Sequence, residues 1–389
     1  MRALLESFAK KRYSAVDIEF IDLGAQQRRL KPQIDAAIAT VLSHGSYVMG
    51  PEVKEFEAEL ATYGQTKHAL GCANGTDAII LALIAMGIGR GDAVFCPSFT
   101  YCATAEAVAS LGATPIFVDI DRQSYNLCAE SLLNTVRRTR IEGKLALKAV
   151  IAVDLFGQSA DYPRIRPIVD EYNMRLISDS AQGFGTSLGG QQPAHWADVT
   201  TTSFFPAKPL GCYGDGGALL TNNDTLANII DSARIHGKGA DKYDNVRIGM
   251  NSRLDTLQAA ILRPKLAIFS NEIEARNRVA ARYHEGLSAY ALRVPYVLDN
   301  VVSTWAQYTI EVKDPLKFAE RLKAKGVPTA RYYPRPIHQQ TAYLQYTRTN
   351  KNLDATEDAI DRIISLPMHP YLDVDTQDFI IETAKTAIN

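Results

Sequence analysis

The chain has almost no net charge and few residues in the patterns that bind metals. Its 389 residues contain 42 Lys and Arg against 43 Asp and Glu, for a formal net charge of −1. This balance argues against nucleic acid or an anionic membrane as the main partner. The seven histidines include no HxxxH or HExxH spacing and the five cysteines no CxxC pair, so we predict no metal site. An odd number of cysteines without such a pair is typical of reduced thiols in a cytosolic protein.

Long apolar runs are missing as well. The longest of them, Ala78–Gly89, is far shorter than the roughly 20 residues that a membrane-spanning helix needs. The segment Met1–Tyr13 contains several charged residues and no apolar core, which is unlike a signal peptide. We therefore expect a cytoplasmic protein that has no membrane partner.

The composition is that of an ordinary globular protein. With 46% hydrophobic and 22% charged residues, the chain is long enough for two domains. Between residues 69 and 221, short apolar runs alternate with segments of helical periodicity, which favours an α/β fold with a mostly parallel central sheet and helices on both faces. We expect an N-terminal extension over residues 1–30, a large domain over 31–270 and a smaller C-terminal α+β domain over 271–389.

Helical spacing also predicts several elements outside that alternation. We expect helices over Pro32–Ser43, Arg253–Phe269, Glu272–Leu287 and Ala355–Ile364. The basic segment 138–148 has the composition of a solvated surface insertion. Ligands of open α/β sheets bind at the carboxyl ends of the strands, so residues that follow predicted strands are the candidate site residues.

A single lysine, Lys208, stands in an apolar stretch at the end of one predicted strand. Two phenylalanines and a proline precede it and four glycines follow it, while Asp215 is the only other charge nearby. Poor solvation lowers the pKa of an ammonium group. A lysine that loses its proton near neutral pH can attack a carbonyl and form a Schiff base. The alternative is a lysine whose charged end reaches solvent beside a structural turn.

Polar residues also follow two other predicted strands. In Asn74-Gly75-Thr76-Asp77 a strand turns into a helix, so backbone N–H groups and the Thr76 hydroxyl can hold a phosphate. Asp179 ends a second strand, where a carboxylate can keep a pyridine nitrogen protonated. Gln182, three residues later, can hydrogen-bond an oxygen of the same ring. Alone, Asn74–Asp77 is more typical of a plain helix cap, and the Asp179 motif is equally compatible with an aspartate that caps a turn.

Two further residues complete the set. Tyr101 follows another strand and can stack on a flat ring, although most aromatic residues in such places belong to the core. Ser203 lies five residues before Lys208 and can supply a second hydroxyl to a phosphate. A phosphate cradle, an aromatic platform, a carboxylate and an amine are together the groups that hold pyridoxal 5′-phosphate. A nicotinamide enzyme would instead carry GxGxxG after its first strand, and this motif is missing.

These residues belong to motifs that span nearly the whole chain: Gly45–Gly50, Asn74–Asp77, Pro97–Glu106, Asp179–Gly185, Ser203–Gly217 and Asn251–Ala260. With them the sequence resembles the nucleotide-sugar aminotransferases of the DegT/StrS family. This resemblance implies the fold-type I aminotransferase architecture and pyridoxal 5′-phosphate as the cofactor. The Ser203–Gly217 motif is most similar to that of the members that aminate UDP-2-acetamido-2-deoxy-3-oxo-glucuronate.

The resemblance implies a role for each candidate residue. Lys208 would bind the cofactor covalently and move the proton, while Asp179 pairs with the ring nitrogen, Gln182 with the ring hydroxyl and Tyr101 with the ring face. The phosphate would be held by Gly75, Thr76, Asp77 and Ser203 and, from the neighbouring subunit of a homodimer, by Asn251. The residues that would contact the sugar nucleotide are Gly45, Tyr47, Arg253, Tyr332, Tyr333 and His338.

The implied reaction is transamination of UDP-2-acetamido-2-deoxy-3-oxo-D-glucuronate, with L-glutamate as the donor, on a route to surface polysaccharide. Arg253 suits a uronate because guanidinium binds carboxylate bidentately. Ala207 stands where close relatives often have serine, and Tyr332 where some have histidine, which leaves the sugar open. One alternative is the same chemistry on a 4-keto- or 3-keto-6-deoxyhexose nucleotide. A second is a dehydratase of the family, although the intact Lys208 argues against it. A third is a non-catalytic regulator that binds a sugar nucleotide.

Overall fold

The structure of the protein is a computed structural model that describes residues 18–241, 243–349 and 353–388. Most of the predicted N-terminal extension lies outside these residues. The part of it that is described becomes helical at Leu23, so the first helix runs across the predicted boundary at residues 30 and 31. The extents of the extension and of the two domains remain predictions.

Strands and helices alternate through most of the described chain. The strands are β1 (His68–Cys72), β2 (Asp92–Pro97), β3 (Thr114–Val118), β4 (Ala146–Val153), β5 (Arg175–Asp179), β6 (Ser187–Leu188), β7 (Val199–Ser203), β8 (Gly217–Thr221), β9 (Val301–Val302), β10 (Tyr308–Glu311) and β11 (Ile363–Leu366). The helices are α1 (Leu23–His44), α2 (Pro51–Tyr63), α3 (Gly75–Ala85), α4 (Ala103–Ser110), α5 (Ala129–Glu142), α6 (Tyr162–Glu171), α7 (Asp224–Ala233), α8 (Thr256–Leu287), α9 (Pro315–Lys323), α10 (Asp354–Ile360) and α11 (Val374–Ile388). Short 3₁₀ segments, such as Leu155–Gly157 and Ile337–Gln339, lie between them.

Local chemistry explains where the first helices begin and end. The Asp22 carboxylate accepts the backbone N–H of Ala25 at 2.7 Å and caps α1, which satisfies a donor that has no partner within the helix. Gly45 ends α1 with φ at +69°, a left-handed conformation that glycine adopts without steric cost. Pro51 occupies the first turn of α2, where its missing N–H is not needed. The predicted helix over Pro32–Ser43 therefore begins earlier, at Leu23.

The central sheet has the strand order β1-β8-β7-β5-β4-β2-β3. The pairs β7–β5, β5–β4, β4–β2 and β2–β3 are parallel, and β8 runs antiparallel to both of its neighbours, β1 and β7. The carboxyl ends of β1, β2, β5 and β7 therefore lie at one edge of the sheet. This arrangement confirms the predicted mostly parallel sheet.

Helices cover both faces of this sheet. On β2, the side chains of Val94 and Cys96 join the core formed with α3, α4 and α7, whereas Ala93 and Phe95 join the core formed with α5 and α6. Successive side chains of a strand point to opposite faces, so one continuous apolar run serves two cores. This dual burial is the reason that the strand runs lack polar alternation.

Helix α8 contributes to two separate cores. Its first half packs Leu262 and Phe269 with α2 and β8, and its second half packs Tyr283 and Leu287 with β10, β11, α9 and α11. The two helices predicted over 253–269 and 272–287 are therefore one helix, which passes through the predicted domain boundary at residues 270 and 271. The helix does not need to end at that boundary, because its apolar face packs in one core before it and in the other core after it.

Two other expectations differ from the structure. The helix predicted over Ala355–Ile364 ends at Ile360, and Ile363–Leu366 forms β11 because it pairs antiparallel with β10. The segment 138–148 is not a separate insertion, since it holds the end of α5, the left-handed Gly143 and the start of β4. Among the described helices, none combines the length and the apolarity needed to cross a membrane.

Candidate active site

The predicted motifs converge at the carboxyl edge of the central sheet. Sheet register aligns Asp179 with Thr201 of β7, and it aligns Gly217 with both Ser203 and Cys72. The loop after β7, which carries Lys208, therefore leaves the sheet beside the end of β5, and the turn after β1 leaves the same edge two strands beyond β7. Parallel strands produce this convergence because equivalent ends lie at one edge.

Asp179 is the buried carboxylate of the site, with 6% of its surface exposed. The Thr104 hydroxyl donates to its Oδ2 at 2.9 Å and the Ala181 backbone N–H to its Oδ1 at 3.2 Å. Burial raises the pKa of Asp179, and these two donors and the charge of Lys208 oppose that rise. The two hydrogen bonds hold the carboxylate in one orientation and leave it able to accept from a further cation.

Lys208 lies in a tight loop between β7 and β8. The Lys208 N–H donates to the Phe205 carbonyl and the Cys212 N–H to the Phe204 carbonyl, both at 2.8 Å. A Cβ at Gly211 would lie 2.4 Å from the Pro206 carbonyl oxygen, so only glycine fits this turn. Burial lowers the pKa of Lys208, and the negative charge of Asp179 opposes the shift. The two predicted catalytic groups therefore share one electrostatic environment.

A fully buried lysine of α8 anchors this loop. Lys265 is 1% exposed, its Nζ donates to the Gly211 carbonyl at 2.6 Å, and it lies 4.3 Å from the centroid of the Tyr213 ring. Burial lowers its pKa to about 8. Sequence reasoning missed Lys265, because a lysine within a helical stretch carries no signal that it is buried.

The start of α3 lies against Ser203. The Asn74 side chain accepts the Asp77 N–H at 2.8 Å and caps the helix. A Cβ at Gly75 would lie 2.7 Å from the Cβ of Ser203, so the absence of a side chain allows the helix N-terminus and the serine to meet. Thr76 and Ser203 are both half-buried. Free N–H groups at a helix N-terminus, next to two hydroxyls, form a phosphate-binding arrangement.

Gln182 connects the 3₁₀ segment Leu155–Gly157 to Tyr333. Its Oε1 accepts the Phe156 N–H at 2.7 Å, which fixes the orientation of the amide. Its Nε2 therefore faces the site and donates to the Tyr333 hydroxyl at 2.9 Å. Burial, and then the charge of Asp179, raise the pKa of Tyr333, so the phenol keeps its proton and can donate it.

Aromatic side chains form one wall beside these groups. Tyr101 is 56% exposed, and its ring centroid lies 6.0 Å from that of Tyr333. Tyr332 packs against Phe20 at 6.2 Å. The Tyr101 ring is therefore accessible to a planar ligand.

The loop after α1 is held on the start of α8. The Gly50 N–H donates to the Thr256 hydroxyl at 3.0 Å, and the Thr256 N–H donates to the Tyr47 carbonyl at 3.1 Å. Tyr47 is 49% exposed. The loop that contains Gly45 and Tyr47 therefore lies next to the segment that carries Arg253.

That segment is itself fixed near the phosphate-binding turn. The Ser252 hydroxyl accepts the Ala73 N–H at 3.1 Å, directly after β1. Asn251 is exposed and Arg253 is half-buried. Most of the predicted site residues are thus brought to one region.

His338 is an exception. It is 5% exposed, and its Nδ1 lies 2.6 Å from the Ser98 hydroxyl and its Nε2 3.1 Å from Glu357 Oε1. Both ring nitrogens are occupied by protein groups, so His338 connects the Ser98–Tyr101 loop to α10. This geometry does not support the predicted substrate contact.

A cavity of about 710 Å³ lies elsewhere, between α1, α2 and α8. Its lining includes Glu52, Tyr63 and Arg263, and it contains none of the predicted site residues. Convergence of titratable and polar groups, rather than cavity size, therefore identifies the site.

Comparisons with known proteins agree with this chemistry. The family model for DegT/DnrJ/EryC1/StrS aminotransferases matches residues 28–385. A UDP-2-acetamido-2-deoxy-3-oxo-D-glucuronate aminotransferase from Pseudomonas aeruginosa is 48% identical over 92% of this chain and 96% of its own length. The crystal structure of a DegT DnrJ EryC1 StrS aminotransferase from Brucella abortus superposes with a TM-score of 0.94 at 48% identity, covering 96% of this chain and all of that chain.

A third relative was solved with cofactor. The crystal structure of NtdA from Bacillus subtilis with bound cofactor PMP has a TM-score of 0.83 at 30% identity, and the match covers 92% of this chain and 81% of that one. The family, the fold and the cofactor that the sequence motifs implied are confirmed. The chain belongs to the DegT/DnrJ/EryC1/StrS aminotransferase family and is a pyridoxal 5′-phosphate-dependent aminotransferase.

Proposed function

We propose that this aminotransferase transfers the amino group of L-glutamate to UDP-2-acetamido-2-deoxy-3-oxo-D-glucuronate, with Lys208 as the catalytic amine. The observation that carries the chemistry is the convergence of Lys208 and Asp179 at the strand ends. The substrate assignment is supported by the Pseudomonas relative, which is named for this sugar and matches nearly the whole chain. The further proposal is that the product enters surface polysaccharide, such as lipopolysaccharide O-antigen, and that the enzyme works in the cytoplasm.

The residues at the strand ends fit the cofactor. When bound, pyridoxal phosphate supplies an electron sink for the carbon that loses its proton. Asp179 would face the ring nitrogen, because a buried carboxylate held by two donors stabilises a neighbouring cation. Gly75, Thr76, Asp77 and Ser203 would hold the phosphate at the start of α3, where a Cβ on Gly75 would leave no room.

Lys208 needs to be neutral to attack a carbonyl and to accept a proton. Its burial favours the neutral amine at a lower pH than usual. Its Nζ would then move the proton from the α-carbon of the amino acid to the cofactor, and in the second half-reaction it would move a proton from the cofactor to the sugar carbon that receives nitrogen. One group serves both half-reactions because the second is the reverse of the first.

Other side chains would position the reactants. Gln182 directs its amide N–H groups into the site, because Phe156 occupies its carbonyl oxygen. Tyr333 keeps its proton and presents a hydrogen-bond donor beside Asp179. Tyr101 offers an exposed ring face for stacking. These contacts would hold a flat ligand between Tyr101, Tyr333 and the carboxyl edge of the central sheet.

The sugar nucleotide would be held by the loop after α1 and by Arg253. The Gly45–Tyr47 backbone is fixed against the start of α8, so Tyr47 projects from a rigid support. A half-buried guanidinium binds a carboxylate through two parallel hydrogen bonds. A uronate has such a carboxylate, and a 6-deoxyhexose does not. We further propose a homodimer in which the exposed Asn251 of one subunit completes the phosphate site of the other.

Borohydride reduction should make the link between the cofactor and Lys208 permanent. The expected result is one cofactor per chain on the peptide that contains Lys208, found by mass spectrometry. Lys265 is a useful internal control, since it is also buried but its Nζ is engaged by the Gly211 carbonyl. Label on Lys265 or on any other lysine would reject Lys208 as the catalytic amine.

Asp179→Asn should lower the pKa of the Lys208 amine further in the cofactor-free protein. The carboxylate favours the charged ammonium, so its removal leaves only the effect of burial. The measurement is the pH dependence of Lys208 acylation, followed by peptide mass spectrometry. Asp215→Asn, an exposed change in the same loop, is the matched control and should leave the profile in place. A higher pKa in Asp179→Asn would contradict this account.

Arg253→Ala should reduce kcat/KM for the uronate roughly 10- to 100-fold, because a charge-assisted hydrogen-bonded pair is lost. The same variant should lose less than about threefold with a 6-deoxy-3-keto sugar nucleotide, which has no carboxylate for the arginine. Arg253→Lys keeps the positive charge but cannot form two parallel hydrogen bonds, so its kcat/KM for the uronate should lie between those of the wild type and Arg253→Ala. Equal losses for both sugars would contradict recognition of the uronate carboxylate by Arg253.

Mixing two inactive variants should restore activity if the sites are shared. In a Lys208→Ala and Asn251→Ala heterodimer, one site carries both defects and the other carries neither. Random exchange should therefore return up to about one quarter of the wild-type sites. The control is Lys208→Ala mixed with Asp179→Asn, two changes on the same side of a site, which should restore nothing. Absence of recovery in the first mixture, with subunit exchange verified, would argue against shared sites.

A further inference from the structure

A second carboxylate, Asp154, lies directly beside Asp179 but faces the protein interior. It follows the last residue of β4, Val153, which pairs with Asp179 of β5. The Asp154 N–H donates to the Asp179 carbonyl at 3.0 Å. Asp154 is completely buried, and the sequence motifs implied no role for it.

The Asp154 side chain contacts both residues that flank Asp179. Its Oδ2 accepts the Ser178 hydroxyl at 3.1 Å and also accepts a hydrogen bond from the Ser180 hydroxyl. Its Oδ1 accepts the Tyr162 hydroxyl at 2.8 Å and the Ala160 N–H at 2.9 Å. Four donors thus converge on one carboxylate, and two of them come from either side of Asp179.

The turn after Asp179 is also shaped to this carboxylate. A Cβ at Gly183 would lie 2.3 Å from the Asp154 Cβ and 3.2 Å from its carbonyl oxygen. The Gly183 N–H donates to the Ser180 carbonyl at 3.1 Å. Asp154 therefore restrains the backbone before and after Asp179, from Ser178 to Gly183.

We propose that Asp154 is a positioning residue that holds the Asp179 carboxylate in its productive direction through Ser178 and Ser180. This inference rests on the proposed pairing of Asp179 with the cofactor nitrogen. Thr104 and Ala181 orient the Asp179 carboxylate itself, but the direction in which that side chain leaves the strand depends on a fixed backbone at Ser178 and Ser180. The second carboxylate supplies that rigidity from behind.

Electrostatics are consistent with a role beyond packing. The pKa of Asp154 is raised to about 7, because the effect of burial exceeds the opposing effect of the hydrogen bonds from Ser180, Ala160, Tyr162 and Ser178. A buried carboxylate is costly, and an apolar residue of similar volume often stabilises a core as well or better. Its presence is explained if the four donors need a common acceptor to hold the Asp179 turn.

The test compares the cofactor spectrum and affinity with stability. Ser180→Ala and Tyr162→Phe each remove one hydroxyl without a change in charge, and Asp154→Asn replaces one acceptor oxygen by a donor. Leu132→Ala, in the same core on α5 and completely buried, is the matched control for lost stability. Each variant is assayed as the cofactor-loaded enzyme for Tm, for the Kd of pyridoxal phosphate and for the pH midpoint of the absorbance of the bound cofactor.

We expect Asp154→Asn to weaken cofactor binding roughly tenfold, the effect of one or two lost buried hydrogen bonds. In Ser180→Ala the pH midpoint of the cofactor absorbance should rise. A poorly oriented Asp179 carboxylate would stabilise the protonated ring nitrogen less, and a less positive ring would leave the nitrogen that joins the cofactor to Lys208 more basic. Leu132→Ala should lower Tm about as much as Asp154→Asn does, but it should leave both the Kd and the pH midpoint at wild-type values.

Two outcomes separate the possible failures. If Ser180→Ala and Asp154→Asn lower Tm but keep the wild-type midpoint and Kd, Asp154 is only structural and the inference is wrong. If Asp179→Asn also leaves the spectrum unchanged, the proposed pairing of Asp179 with the ring nitrogen fails instead. Should Asp154→Asn not fold, Ser180→Ala and Tyr162→Phe decide the question alone.

Discussion

The withdrawal of one carboxylate and one amine from water, next to each other, is the constraint on which this site depends. Burial raises the pKa of Asp179 and lowers that of Lys208, and the charge of each group opposes the shift in the other. The balance leaves a lysine that is easier to deprotonate than a surface lysine and a carboxylate that is held for a cation. A flat, electron-withdrawing cofactor requires both properties.

Close backbone approach makes that arrangement possible. Glycine at position 75 lets the start of α3 reach Ser203, and glycine at 211 lets the lysine loop fold back on Pro206. Support comes from behind the sheet edge as well, where Lys265 holds the loop and Asp154 holds the turn around Asp179. Residues around the site thus hold the loop and the turn that carry Lys208 and Asp179.

The proposed sugar-binding side has a different construction. Tyr47 and Arg253 come from segments tied to the start of α8, whereas Tyr333 comes from the C-terminal part and reaches the site through Gln182. Helix α8 joins these regions because its two halves belong to different cores. Sugar recognition can therefore change in the peripheral segments while the amine and the carboxylate stay on the central sheet, a division that suits a family with many sugars.

The sequence by itself determined the family, the alternation of strands and helices, and the residues that meet at the strand ends, because apolar periodicity and glycine-rich motifs are local properties of the chain. It did not reveal the partners of those residues. Whether Ile363–Leu366 became a strand depended on pairing with β10, and whether His338 faced a ligand or Ser98 depended on packing. The roles of Thr104, Asp154 and Lys265 became visible only in the tertiary structure, because burial and hydrogen bonds between distant residues leave no pattern in a single segment.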